Sequence, residues 1–147
     1  MPSSLVLEHP IADRETALAF FRAKLALETD PSDVHHDLTA GEEGLMVVDA
    51  RSPEAYAAGH VPGAINLPHR RMDPASTAVL PKHKLMVVYC DGIGCNASTK
   101  GALRLTALGF QAKEMMGGLD WWIRDGYPVT TGPEAGRLAE AGVRCGC

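Results

Sequence analysis

Two apolar runs dominate the pattern of the chain: LMVVDAR (45–51) and KLMVVYC (84–90). Each is continuously apolar rather than alternating, and each changes character at its end. A strand covered on both faces of a parallel sheet reads this way. The segments around them carry helix and turn signals. DRETALAFFRA (13–23) predicts a helix capped by Asp13, with Ala17, Phe20, Phe21 and Lys24 marking a face at helical spacing. LALET (25–29) reads either as the end of that helix or as a short strand. DPSDVHHDLTAG (30–41) predicts a helix with Pro31 at its first position and Gly41 as its stop. SPEAYAAG (52–59) repeats the form, with Ser52 as N-cap, Pro53 in the first turn and Gly59 as stop. AINLP (64–68) predicts a short strand, and STKGALRLTALG (98–109) a helix ended by Gly109. AKEMMGG (112–118) predicts a strand and turn, and LDWWIRDG (119–126) a helix. A last short helix is predicted at PEAGRLAEA (133–141), before the terminal CGC.

Strands alternating with helices imply βαβ units, hence one α/β domain with a mainly parallel sheet and helices on both faces. Ligand sites in such sheets form beyond the carboxyl ends of the strands. Two strands end on chemistry-bearing residues: Asp49 and Arg51 after the first, Cys90 after the second.

Composition narrows the function. A chain of 147 residues has room for one real core. Its net charge of −4, with no long basic run, argues against a nucleic-acid partner. No stretch approaches the length of a membrane span, so no membrane partner is expected. The start, Met1-Pro2-Ser3-Ser4, lacks the basic-then-apolar form of a secretion signal, and the expected location is cytoplasmic. Four cysteines, unevenly placed, are too few for a disulfide framework; in a reducing compartment they read as catalytic, metal-binding or buried.

The stretch YCDGIGCNASTK (89–100) is where chemistry concentrates. Cys90 ends a buried strand and opens a loop that feeds a helix, with Asn96 or Ser98 as its N-cap candidate. Gly92 and Gly94 permit positive φ, which would let successive amides converge on an anion. The helix N-terminus adds positive potential. A thiol held there should be a stabilised thiolate, with a pKa below the free value of about 8.5. The plain alternative is a small buried hydrophobe. Zinc is disfavoured, because Cys-x4-Cys is loose spacing and Cys145 and Cys147 lie at the chain end, so neither metal nor cofactor is expected. A Cys90–Cys95 disulfide depends on geometry that spacing does not supply.

These segments resemble the rhodanese-like (sulfurtransferase) domain family. The resemblance is carried by VVDARSPEAYAAGHVPGAINLP (47–68), VVYCDGIGCNAS (87–98), ALRLTALGF (102–110) and MMGGLDWWIRDGYPV (115–129), in the family's order. It spans residues 25–129, leaving 1–24 as an N-terminal helical extension and 130–147 as a tail. It implies a five-stranded, mainly parallel α/β domain in which Cys90 is the nucleophile. The substrate-binding loop maps onto Asp91, Gly92, Ile93, Gly94 and Cys95, with Asn96 at its far edge. Gly117 and Gly118 are implied near the site, with Trp121 or Trp122 in the packing behind it. The implied activity moves sulfane sulfur from a persulfide, polysulfide or thiosulfate, through a Cys90 persulfide, to a thiophilic acceptor. The implied partners are a small-molecule sulfur donor and a thiol acceptor, a protein acceptor among the options.

The sequence departs from the family pattern at the loop. Where many active members carry an arginine, this chain has Cys95. The loop holds no Lys or Arg, and Asp91 stands beside the nucleophile, where a carboxylate opposes both a thiolate and a dianionic donor. Thiosulfate is therefore expected to be a poor donor. Arg70 and Arg71 are candidate compensating cations, though a solvated loop is their plainer reading. Cys95 has three readings: a resolving thiol, a second nucleophile, or filler. The first predicts a reversible Cys90–Cys95 disulfide on oxidation, with Cys145 or Cys147 as rival partners. Asp49 and Arg51 are expected to form a turn and salt bridge, His60 to be a structural hydrogen-bonder, and His35 and His36 to be incidental on a surface helix. The alternative function is a catalytically weak binding or redox-regulatory module. Phosphatase or arsenate-reductase chemistry needs a cationic fork where Asn96 stands, and ranks last.

Overall fold

The computed structural model describes residues 4–138. The chain forms a single α/β domain around a five-stranded, all-parallel sheet. The strands are β1 (Glu28–Thr29), β2 (Leu45–Asp49), β3 (Ile65–Asn66), β4 (Leu85–Tyr89) and β5 (Gln111–Met115), in spatial order β1-β5-β4-β2-β3. The helices are α1 (Arg14–Leu27), α2 (Pro31–Thr39), α3 (Pro53–Ala58), α4 (Ala97–Ala107) and α5 (Gly118–Arg124). A single 3-10 turn, His69–Arg71, lies in the connection from β3 to β4, where the sequence announced no element.

Both faces of β2 and β4 are buried, which is why their sequences do not alternate. Val47, Val87 and Tyr89 face Val34 of α2 and Leu119 and Trp122 of α5. Val48, Met86 and Val88 face Leu105 of α4 together with Met72 and Phe110. The capping chemistry also follows the sequence: Asp13 accepts from Thr16 N at 2.8 Å, Asp30 from Asp33 N at 2.9 Å and Ser52 from Ala55 N at 3.2 Å. Asn96 holds the N-cap of α4, but its side chain caps nothing; Ser98 Oγ instead donates to Glu114 Oε1.

Helix α1 runs on to Leu27 and Glu28–Thr29 form β1, so LALET supplies both the helix end and a short strand; none of the helix's residues is buried. Two expectations need correction. Residues 133–138, the described part of the predicted tail helix, contain no helix. Gly136 is left-handed there (φ +70°) and packs so closely on Thr130 that a Cβ would clash. His35 is not incidental, since its ring stacks on Tyr127 at 3.9 Å between centroids and borders Trp122. Burial lowers its pKa from the usual histidine value.

The strand order reverses between β2 and β4, whose register pairs Asp49 with Tyr89. A crevice opens at the carboxyl ends of strands where the order reverses. Asp49, Arg51 and Cys90 all stand there. No described helix is long and apolar enough to cross a membrane.

Candidate active site

Cys90 follows the last residue of β4 and is only 2% exposed. Its backbone is fixed from the side of α5. Leu119 N–H donates to Cys90 O at 3.0 Å, and Asp120 N–H donates to Asp91 O at 2.8 Å. This depends on Gly118, which has φ +56° and sits so near the loop that a Cβ would lie 2.2 Å from Cys90 O. Gly117 is likewise left-handed. The glycine pair with positive φ is therefore 117–118. Gly92 and Gly94, expected in that role, do not have it. Gly92 instead gives close approach, since a Cβ there would meet Asp120 Cβ at 3.3 Å.

Cys90 and Cys95 are joined as a disulfide. Cys95 N–H donates to Gly92 O at 3.2 Å, closing a turn within the Cys90–Cys95 loop. Cys95 is half-buried, Ile93 is exposed and α4 begins just beyond Asn96. Cys145 and Cys147 lie outside the described residues.

Beneath the loop is a buried polar knot. Asp49 is fully buried and accepts from Arg51 N at 2.9 Å, Arg51 Nη2 at 2.7 Å and Tyr89 Oη at 2.7 Å. Arg51 Nη2 also donates to Gly59 O at 2.6 Å, and Nη1 to Asp91 Oδ1 at 3.0 Å. Burial disfavours the guanidinium charge, but bonds and charge from Asp49, then Asp91, outweigh it and raise the Arg51 pKa. Burial, then the Asp49 carboxylate, raise that of Tyr89. Asp49 and Arg51 thus have the salt-bridge role expected of them. The Asp91 carboxylate, for which Arg70 and Arg71 were the candidate compensating cations, is paired with Arg51 instead. His60 is fully buried, with Nδ1 2.8 Å from Tyr56 O, Nε2 3.0 Å from Ala135 O and its ring stacked on Tyr56. It is a structural hydrogen-bonder, as expected.

Two cavities meet at the Cys90–Cys95 pair. One, of about 280 Å³, is bounded by Gly92–Asn96, by Ser98 and Thr99 of α4, and by Glu114 to Gly118. Its Glu114 carboxylate accepts from Ser98 Oγ at 3.0 Å and Thr99 Oγ1 at 2.6 Å. The other, of about 320 Å³, is bounded by Arg51, Pro68, His69, Arg70, Asp91 and Ala97. It is the basic side. His69 Nδ1 is buried there with no hydrogen-bond partner among the described residues, and burial, then the charges of Lys100, Arg70 and Arg104, push the His69 pKa down. Arg70 lines this cavity while remaining solvent-exposed, as the plainer reading had it. His69, Lys100, Glu114 and Thr99 were not singled out from sequence, and Ser98 was named there only as an N-cap candidate. Glu114 was open to inference because it sits near the carboxyl end of a parallel strand.

Trp122 is fully buried and donates Nε1–H to Pro128 O at 2.7 Å. Trp121 is not core: it is 43% exposed, under the Arg124 guanidinium, and borders a shallow groove along the outer side of the loop.

A strand-order reversal with a cysteine loop packed against a left-handed Gly-Gly turn defines a recognisable class. The rhodanese-like domain family model matches residues 30–125, and the chain belongs to that family. It is 40% identical over 91 residues to thiosulfate sulfurtransferase GlpE of Pseudomonas entomophila, covering 60% of this chain and 79% of that protein. It is 34% identical over 97 residues to the HTH-type transcriptional regulator Rv0324 of Mycobacterium tuberculosis. That match covers 66% of this chain but only 42% of the regulator's length. Among solved structures, the BH2092 protein of Bacillus halodurans superposes with a TM-score of 0.80 at 36% identity, over 82% of this chain and 88% of that one.

Proposed function

We propose that the chain is a sulfurtransferase that carries sulfane sulfur on Cys90. The observation behind this is the placement of Cys90 at the carboxyl end of β4, where two cavities meet and the N-terminus of α4 faces the loop. Helix N-termini favour thiolate over thiol. In the reduced protein the Cys90 thiolate attacks the outer sulfur of a donor. A hydropersulfide donor departs as its thiol, thiosulfate as sulfite. The Cys90 persulfide then gives its terminal sulfur to an acceptor thiolate, small or protein-borne, and Cys90 is regenerated. Asp91, Gly92, Ile93, Gly94, Cys95 and Asn96 form the binding loop. The disulfide must first be reduced, so the working compartment is one that keeps thiols reduced, the cytoplasm in our reading.

The basic cavity supplies the charge that the loop lacks. Arg70 makes no ion pair among the described residues and lines the same cavity as Cys90. Arg70→Glu is expected to lower kcat/KM for thiosulfate about tenfold, equivalent to ~1.4 kcal/mol. The loss should be smaller for an uncharged organic polysulfide. Steady-state kinetics with the two donors checks this, and equal losses would remove Arg70 from donor binding. A second reading, a redox-regulated binding module, draws on the disulfide that masks Cys90. It predicts binding without turnover, and the same assay on the reduced protein separates the two.

A further inference from the structure

The geometry points to a second fate for sulfur on Cys90: expulsion as hydrosulfide by Cys95, which makes the chain a dithiol-dependent sulfane-sulfur reductase as well as a transferase. This rests on the Cys90 persulfide reading above. The carrying observation is that the Cys90–Cys95 bond coexists with an intact site. Cys90 still ends β4, its carbonyl still accepts from Leu119 N–H, Asp91 O still accepts from Asp120 N–H, and the Cys95–Gly92 turn is closed. The two sulfurs therefore meet without unfolding a strand or releasing a helix. Gly94 leaves the turn uncrowded, with nothing within 4 Å of a Cβ placed there. Cys95 directly precedes the N-cap of α4, where a thiolate is favoured.

In a Cys90 persulfide, the inner sulfur is the Cys90 Sγ that Cys95 reaches, and the terminal sulfur has room in the cavities on either side. The Cys95 thiolate attacks the inner sulfur. The bond between inner and terminal sulfur breaks, and the terminal sulfur leaves with the electron pair as hydrosulfide. The new bond is the Cys90–Cys95 disulfide. The sulfane sulfur is reduced to sulfide and the two cysteine sulfurs are oxidised, while the Cys95 proton passes to solvent or to the departing sulfide. A low-molecular-weight or protein dithiol then reduces the disulfide and is itself oxidised, which restores both thiols. Because Cys95 is tethered in the same loop, its attack competes with acceptors that must diffuse in. The abundance of acceptor thiol therefore decides whether sulfur is passed on or released as sulfide.

The test is a single turnover without reductant. Reduced, desalted protein is given thiosulfate, which yields sulfite on loading, so that sulfide reports only the second step. Wild-type protein is expected to release one equivalent of sulfide and to end with a Cys90–Cys95 linkage by peptide mapping. Cys95→Ser is expected to load sulfur, to keep it on Cys90 and to release sulfide at least about tenfold more slowly. Wild-type protein that holds its persulfide without sulfide release would overturn this inference alone. So would equal release from Cys95→Ser, or a linkage from Cys90 to Cys145 or Cys147. Failure of wild-type protein and Cys95→Ser alike to take up sulfur on Cys90, from thiosulfate and from an organic polysulfide, would overturn the transferase reading as well.

Discussion

Cys90→Ser is expected to abolish thiocyanate formation from thiosulfate and cyanide, by a factor on the order of a thousand or more. A serine hydroxyl at this position is protonated at neutral pH and forms no persulfide, so no group remains to carry sulfur. The fold should survive. The substitution is nearly isosteric, and the contacts that fix residue 90 are made by its backbone, Leu119 N–H to Cys90 O among them. Burying a hydroxyl where the sulfur is 2% exposed costs about 1–3 kcal/mol unless it finds a partner. A circular-dichroism melt on the same sample separates lost chemistry from lost structure. Retention of the wild-type rate by a folded Cys90→Ser protein would contradict the mechanism.

Arg51→Met is expected to destabilise the domain by roughly 3–5 kcal/mol, because it strands the carboxylate of Asp49 in the interior. Asp49 is fully buried, and its partners are the Arg51 guanidinium, the Arg51 backbone N–H and Tyr89 Oη. Only the last two survive the substitution. Gly59 O loses its donor as well, and Asp91 loses the cation that ties the Cys90 loop to the end of β2. Arg51→Lys should cost less, since it keeps the charge but not the forked donors. Urea unfolding of Arg51→Met, of Asp49→Asn and of the double variant forms the decisive cycle. The double variant is expected to be more stable than Arg51→Met, because the Asp49→Asn change removes the stranded charge. Additive losses would show that the pair is not coupled.

Strands β2 and β4 were legible because burial on both faces leaves an unambiguous trace: Leu45 to Val48 and Leu85 to Val88 contain no polar residue. The helices were legible from their ends, where Asp13, Pro31 and Ser52 have local roles that short-range spacing reveals. What stayed hidden depends on contacts distant in sequence. Arg51 and Asp91 are forty residues apart, so the compensating cation was sought at Arg70 and Arg71 until the fold brought Arg51 to Asp91. The His69–Arg71 turn has no hydrophobic period, and His69 and Arg70 reach the cavity that Cys90 also lines only because β3 delivers them there. The Gly92–Gly94 loop invited a left-handed reading that belongs to Gly117 and Gly118. Glycine signals freedom from a side chain, but whether that freedom serves a positive φ or a close approach is decided by the neighbour across the gap.

The whole mechanism stands on sulfur being carried by Cys90. Intact mass spectrometry, with peptide mapping, of the reduced Cys95→Ser protein after exposure to thiosulfate and, separately, to an organic polysulfide decides it. The expected result is the added mass of one sulfur atom, located on Cys90, lost on adding cyanide and absent from the Cys90→Ser, Cys95→Ser double variant. No added sulfur from either donor, or sulfur on another residue, would rule the mechanism out.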